Sequence, residues 1–355
     1  MAPRTRAAAR CKNANRGSNY NTRGFVKLPL EILFQIVSAA QGAIIPCMNE
    51  AAMEKKYSER RDTLSALCQV CRSLRVALLP LLWGRLEACC LPLESCCLPG
   101  NQNNRDRWRL LTKKLISQLM VLSVIQPLYA SYVRIVNIGI EPRVASEMLF
   151  NLAPALALMP NLHTIQIVID PNYPKRRTNC VLVIRSTVFR NAFKDYLYPS
   201  VKRAVLPGQA MTILECFPQV REVCLNQAYH GGSFFSFLGI LARNCDKLER
   251  FGWIQFSQDQ DSRAAAIAEK LPNIRGLEYH IKNFNVIEIS PLARLQNLED
   301  LSLIMDAYDD ISQCDDAVLE VAEATKKVLE ASPSINKRLN DRVSMHPTND
   351  RVSFS

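Results

Sequence analysis

The chain has 355 residues, 48% of them hydrophobic, and a formal net charge of +11. That is enough apolar material for a large folded core and about two domains, while no uncharged apolar run reaches the ~18 residues that a membrane-spanning helix needs. Thirteen cysteines, several of them inside apolar periodic segments, suit a reducing compartment in which a thiol packs as a small hydrophobe, so a cytoplasmic and/or nuclear location is expected.

Residues 1–24 carry Arg4, Arg6, Arg10, Lys12, Arg16 and Arg23, and the first acid is Glu31. An Arg- and Ala-rich, acid-free start also describes a mitochondrial presequence. No apolar face repeats at helical spacing before Phe25, however, and no apolar stretch of a secretory signal is present, so the segment reads as a disordered basic arm. Beyond it the basic residues are dispersed, and the cluster Lys175-Arg176-Arg177 reads as a solvated loop. A nucleic-acid surface would gather its cations in one patch interleaved with aromatics, so no nucleic-acid partner is expected.

Residues 25–90 read as a helical module. Leu28-Pro29 opens a helix, with proline where its missing N–H is not needed and Glu31 at the positive end of the helix dipole. Ile32, Leu33, Ile36, Val37 and Ala40 then form one apolar face. An insertion follows, and its charged end, EKKYSERRD, reads as a solvated loop or a short exposed helix. Leu64, Leu67, Cys71, Leu74 and Leu78 fall on one stripe of a second helix, which Pro80 is expected to end. Leu81, Leu82 and Trp83 make a third apolar knot. Three short helices in so small a module hold more apolar surface than they can bury alone, which calls for a partner surface.

The ordered set LPLEIL from Leu28, LCQVCRSLR from Leu67 and PLLW from Pro80 resembles the F-box, the helical module that docks a protein onto the Skp adaptor of SCF-type ubiquitin ligases. The resemblance runs from Phe25 to Trp83, and the insertion makes its central spacing longer than in most family members. It implies that Leu28, Pro29, Glu31, Ile32 and Ile36 sit at the adaptor contact. It also implies that Leu67, Val70, Cys71, Leu74, Pro80, Leu81 and Trp83 divide between that contact and the module's own core. Through the adaptor, a cullin–RING scaffold would bring the ubiquitin-conjugating enzyme. The plainer alternative is an amphipathic helix pair that caps the region that follows.

Residues 105–330 carry a recurring spacing, apolar-x-x-apolar-x-apolar. It is found in VRIVNI from Val133, LHTIQI from Leu162, VKRAVL from Val201, VREVCL from Val220, LERFGW from Leu248, IRGLEY from Ile274 and LEDLSL from Leu298. The interval between starts is shortest from Val201 to Val220 and longest from Leu162 to Val201, and Pro160, Pro199, Pro218 and Pro272 each stand two positions before a start. The apolar-x-apolar end predicts a short strand with alternate side chains inward. The proline stops what precedes it and sets its predecessor in extended geometry. Helices are predicted between strands in ASEMLFNLAPALALM, SFFSFLGILARN and SRAAAIAEKL, and VLVIRS at Val181 reads as an inserted strand or a missed repeat.

One helix and one strand per unit resembles the leucine-rich repeat family in a degenerate form, since its Asn after the strand is missing from most units. The fold class expected is α/β: an F-box-like helical module followed by an irregular leucine-rich-repeat-like solenoid. The rival is a non-repetitive α/β domain. Residues 333–355 are polar and read as a flexible tail.

Little else suggests chemistry. Cys68 and Cys71 lie on a helix face with no second pair at finger spacing, and the doublets Cys89-Cys90 and Cys96-Cys97 match no zinc spacing, so no metal is expected. His163, His230, His280 and His346 are far apart, and no phosphate-cradling glycine motif is present. No cofactor and no catalysis by this chain are expected. The expected role is that of substrate receptor in a ubiquitin ligase, holding a client protein through exposed positions of the strand-lined face: Asn137, Gln166, Glu222, Arg250, Glu278, His280 and Asp300. The alternative is a repeat-based scaffold that engages no ligase.

Overall fold

A computed structural model describes residues 51–88, 103–169, 186–225, 234–253, 263–281, 289–306, 314–331 and 338–344, together with Gln35. Nine strands form one all-parallel sheet in chain order: β1 Arg85–Ala88, β2 Ile135–Ile140, β3 Thr164–Ile169, β4 Arg203–Leu206, β5 Glu222–Leu225, β6 Arg250–Trp253, β7 Gly276–Ile281, β8 Asp300–Asp306 and β9 Arg338–Ser344. The helices are α1 Ala51–Val70, α2 Arg72–Trp83, α3 Asn103–Met120, α4 Ala145–Ala157, α5 Ser186–Phe193, α6 Phe234–Asn244, α7 Arg263–Lys270 and α8 Cys314–Ala331. The chain is thus α/β, and each strand pairs with its successor.

All seven predicted strands form, each starting just after the first apolar residue of its motif. The reason is a turn repeated before every one of them. The N–H of the first apolar residue donates to the carbonyl three positions earlier, as in Leu162 to Met159, Val201 to Tyr198 and Ile274 to Leu271, at 3.0–3.4 Å across the seven turns. The prolines are the second residue of this turn, the position that proline's fixed φ suits. The residue after the anchor then offers a carbonyl that accepts two N–H groups from the following unit. Arg134 O takes His163 N and Thr164 N, and Lys202 O takes Arg221 N and Glu222 N. The inward residues, such as Val136, Ile138, Ile165, Ile167, Val223 and Leu225, are fully buried. They join one apolar cluster that runs from Leu64 in α1 to Leu329 in α8.

Two strands fall outside the seven. Trp83-Gly84-Arg85-Leu86-Glu87-Ala88 has the same spacing, with Trp83 and Leu86 buried and the Gly84 carbonyl accepting from Arg134 N and Ile135 N. The last residue of the helical motif is therefore also the first of a repeat unit. β9 lies within the stretch read as a tail, and it pairs with β8 along its whole length. Asp341, in register with Leu303, stands where the pattern would place an apolar residue, so the spacing does not reveal this strand. Val181 and the rest of VLVIRS up to Arg185 lie outside the described residues.

The second predicted helix is in fact two. Cys71 adopts extended geometry (φ −156°, ψ 166°) and caps α2, its Sγ accepting from Leu74 N at 3.4 Å. Pro80 does not end α2 but lies inside it. The carbonyl its missing N–H would have met belongs to Val76, which is 68% exposed and within reach of water. EKKYSERRD is helical, within α1, and Arg60 in it is buried at 4% exposure rather than solvated. Its Nη2 donates to Leu81 O at 2.9 Å and its Nη1 lies 3.5 Å from Glu87 of β1. A buried arginine persists where carbonyl and carboxylate partners replace water.

Candidate functional site

Alternation along each strand leaves two rows of residues on the outer face of the sheet, away from the main core. One row passes through Thr164, Arg203, Glu222, Arg250, Gly276 and Asp300 on adjacent strands. The other passes through Glu87, Asn137, Gln166, Val205, Cys224, Gly252, Glu278 and Ser302. Six of the seven expected client-contact residues stand in these rows. His280 lies beyond Glu278 on β7, and its side chain is outside the described residues.

The face is not uniform. Over β1–β3 it is closed by α3, which packs against β1 and β2. Trp108 and Leu111 form a small cluster with Val168, and Trp108 sits so near Gly139 that a Cβ there would lie 2.7 Å from its ring. Gln118 Nε2 donates to Glu87 O at 3.2 Å. Asn137 and Gln166 are consequently buried, at 3% and 2% exposure, which corrects the expectation that they offer themselves to a client. Beside them Glu87 is held by Arg60 and, at 4.0 Å, by Arg85. Burial pushes its carboxyl up, and Arg60 and Arg85 oppose that shift.

Over β4–β8 the face is open. Arg203 Nε lies 3.1 Å from Glu222 across β4–β5. Arg250 reaches past β7 to Asp300 of β8 at 3.3 Å. Gly276 makes that reach possible, because a Cβ there would lie 2.8 Å from Arg250 Cγ. Gly252 plays the same part for Cys224, whose Sγ would be 3.0 Å from an added Cβ. Two side-chain-free positions on neighbouring strands leave a depression of about 350 Å³, walled by Arg203, Glu222, Cys224, Arg250, Glu278, Asp300 and Ser302. Guanidinium, carboxylate and hydroxyl groups around a backbone floor suit hydrogen bonding and ion pairing with an extended polar segment. Glycine on this face is the feature that sequence reading missed, and its signal is one glycine at an outward position in each row, Gly252 in one and Gly276 in the other.

The residues that the F-box resemblance assigns to adaptor contact or module core separate by burial. Leu74 and Trp83 are in the chain's own core, and Leu67, Cys71 and Leu81 are partly buried against it. Trp83 stacks on Tyr129 at 5.5 Å, with the Arg61 guanidinium 5.3 Å from its ring. Pro80 is half-buried, and Val70 is 57% exposed. Leu28, Pro29, Glu31, Ile32 and Ile36 lie outside the described residues.

Cys68 is buried and its thiol is pushed up by that burial, with Arg75 opposing. Burial also raises Cys216 to about 11 and Cys245 to about 12. These thiols stay protonated at neutral pH and serve packing. Among the described residues no group of three or more metal-ligating side chains comes together. Cys89, Cys90, Cys96 and Cys97 fall outside them. No protein-family model matches the chain, and no curated protein is detectably similar to it.

Proposed function

We propose that the chain is a non-catalytic substrate receptor of an SCF-type ubiquitin ligase, in which an F-box-like module binds the Skp adaptor and a degenerate leucine-rich-repeat solenoid holds a client protein. The repeat reading rests on seven strands at the motif positions, each with the same preceding turn. The adaptor reading is carried by one observation beyond the motif. On α1 and α2, Val70 and Val76 are 57% and 68% exposed while Leu74 and Trp83 of the same pair are buried, so large apolar side chains face outward where a partner would cover them. The mechanism is positioning: adaptor at one end and client on the open sheet face raise the effective concentration of client lysines at the conjugating enzyme. The chain works in the cytoplasm and/or nucleus, with a cullin–RING scaffold recruited through the adaptor.

Co-purification tests this reading. Wild-type protein should capture the Skp adaptor, and Val70→Asp with Leu28→Ala should lose it with an unchanged melting temperature. Failure of the wild type to bind at micromolar adaptor sinks it.

A second reading has its own support. Arg60 pairs with Glu87 of β1, and the core is continuous from α1 into the sheet, as a helix pair capping the sheet of a scaffold that engages no ligase would require. In that case neither the wild type nor the variant captures the adaptor.

A further inference from the structure

The row that begins the strands lies just outside the open depression and carries a charge pattern that the contacts above do not use. Arg134, His163, Lys202 and Arg221 occupy the same place in four successive units, one position after the first apolar residue. Each of Arg134, His163, Lys202 and Arg221 has a carbonyl that accepts two N–H groups from the next unit, so the four backbones are tied in series. Their Cα atoms therefore repeat at about the strand spacing, ~4.8 Å, and the row spans ~14 Å. Arg134, Lys202 and Arg221 are exposed and His163 is half-buried. Arg221 meets Glu249 at 3.0 Å. Among the described residues neither Arg134 nor Lys202 has an acidic partner, and His163 Nδ1 lies 2.8 Å from Thr164 Oγ1. Burial and then the charges of Arg134 and Lys202 hold His163 below its usual range, as expected where cations crowd without a counter-charge.

We propose that this rim docks an extended acidic segment of a partner protein, laid across the starts of β2–β5. In an extended chain, carboxylates at alternate residues lie ~6.6 Å apart on one side, so two of them fall within reach of the long side chains of Arg134 and Lys202, whose Cα atoms stand two strand spacings, ~10 Å, apart. The neighbouring positions favour peptide over nucleic acid. Asn161, Ser200 and Gln219 precede the units here, and Tyr132, at the same place in the first unit, is half-buried and stacked on Tyr129, so among the described residues these positions offer no fully exposed aromatic for base stacking. The inference names the chemistry of the client within the receptor reading, on which it rests.

The test is fluorescence anisotropy on the full chain with a labelled short peptide of alternating Glu and Gly, its Gln counterpart, and a single-stranded oligo-deoxythymidine of similar length. The acidic peptide should bind saturably and weaken at least tenfold as salt rises from ~50 to ~300 mM. Arg134→Glu with Lys202→Glu should weaken it at least tenfold. Lys326→Glu with Lys327→Glu, an equal charge change on an exposed part of α8, should leave it unchanged. The proposal is overturned if the Gln peptide binds as well, if both double variants lose binding equally, or if the oligonucleotide binds more tightly through the same two residues. Adaptor capture is read in parallel. Capture without peptide binding removes this inference alone, and peptide binding without capture removes the ligase reading alone.

Discussion

The two halves of the outer sheet face have the same backbone and opposite uses. Over β1–β3 a helix closes the face, and the polar side chains beneath it, Glu87, Asn137 and Gln166, are buried. Over β4–β8 nothing described covers it, and the same rows carry the ion pairs Arg203–Glu222 and Arg250–Asp300 around a glycine floor, beside the small buried pair Val205 and Cys224. The difference lies in the outward positions, since the inward ones of both halves are apolar. A parallel sheet with one apolar face can therefore dedicate part of its other face to anchoring helices and leave the remainder for a partner.

Substitutions should separate the halves, with large stability effects on the covered side and binding effects on the open side. The largest loss is expected from Glu87→Ala, which strands the buried Arg60 and should cost about 3–5 kcal/mol by urea denaturation. A loss below about 1 kcal/mol would mean that Arg60 finds water. Trp108→Ala should cost about 3 kcal/mol by removing the lid over Gly139, with adaptor capture kept. Gly139→Ala brings a Cβ to 2.7 Å from that ring and should cost about 1–3 kcal/mol. Asp300→Asn on the open side should change stability by less than about 1 kcal/mol, because its Arg250 partner is largely exposed. It should nevertheless weaken client capture in a pull-down, and an unchanged pull-down would remove the depression from the client site.

The covered half also has a pH signature. The Glu87 carboxyl is raised by burial against the pull of Arg60 and Arg85. A raised folded value contributes stability that is complete below the unfolded value, ~4.3, and is lost as pH climbs through the folded one. Wild type should gain stability relative to Glu87→Gln as pH falls from neutral toward ~4.3. A flat difference would show that the two arginines offset burial completely.

What can be read from sequence follows from where the information lies. Strands β2–β8 are legible because turn, buried anchor and alternation all fall within one short segment. β1 carries the same spacing but is overlapped by the helical motif ending in Trp83, and β9 has Asp341 in register with Leu303, where the spacing calls for an apolar residue. Arg60 is easily misjudged because a run of charges looks solvated unless its partner Glu87, on a different element, is known. The burial of Asn137 and Gln166 depends on where α3 lies, which tertiary packing decides. The open-side positions Glu222, Arg250, Glu278 and Asp300 are legible because alternation alone sets their side of the sheet.

The turn before each strand has a consequence for how such a chain can change. Because each unit from β2 to β8 closes its own turn, and each carbonyl from Gly84 to Arg275 at the start of a strand is passed to the next unit, register is fixed locally and not by the length of the connection. The short step from Val201 to Val220 and the long one from Leu162 to Val201 accordingly sit in one sheet, and loop closure makes such length differences inexpensive. The connections are thus free to lengthen or shorten over evolutionary time while the spacing of the outward rows stays constant.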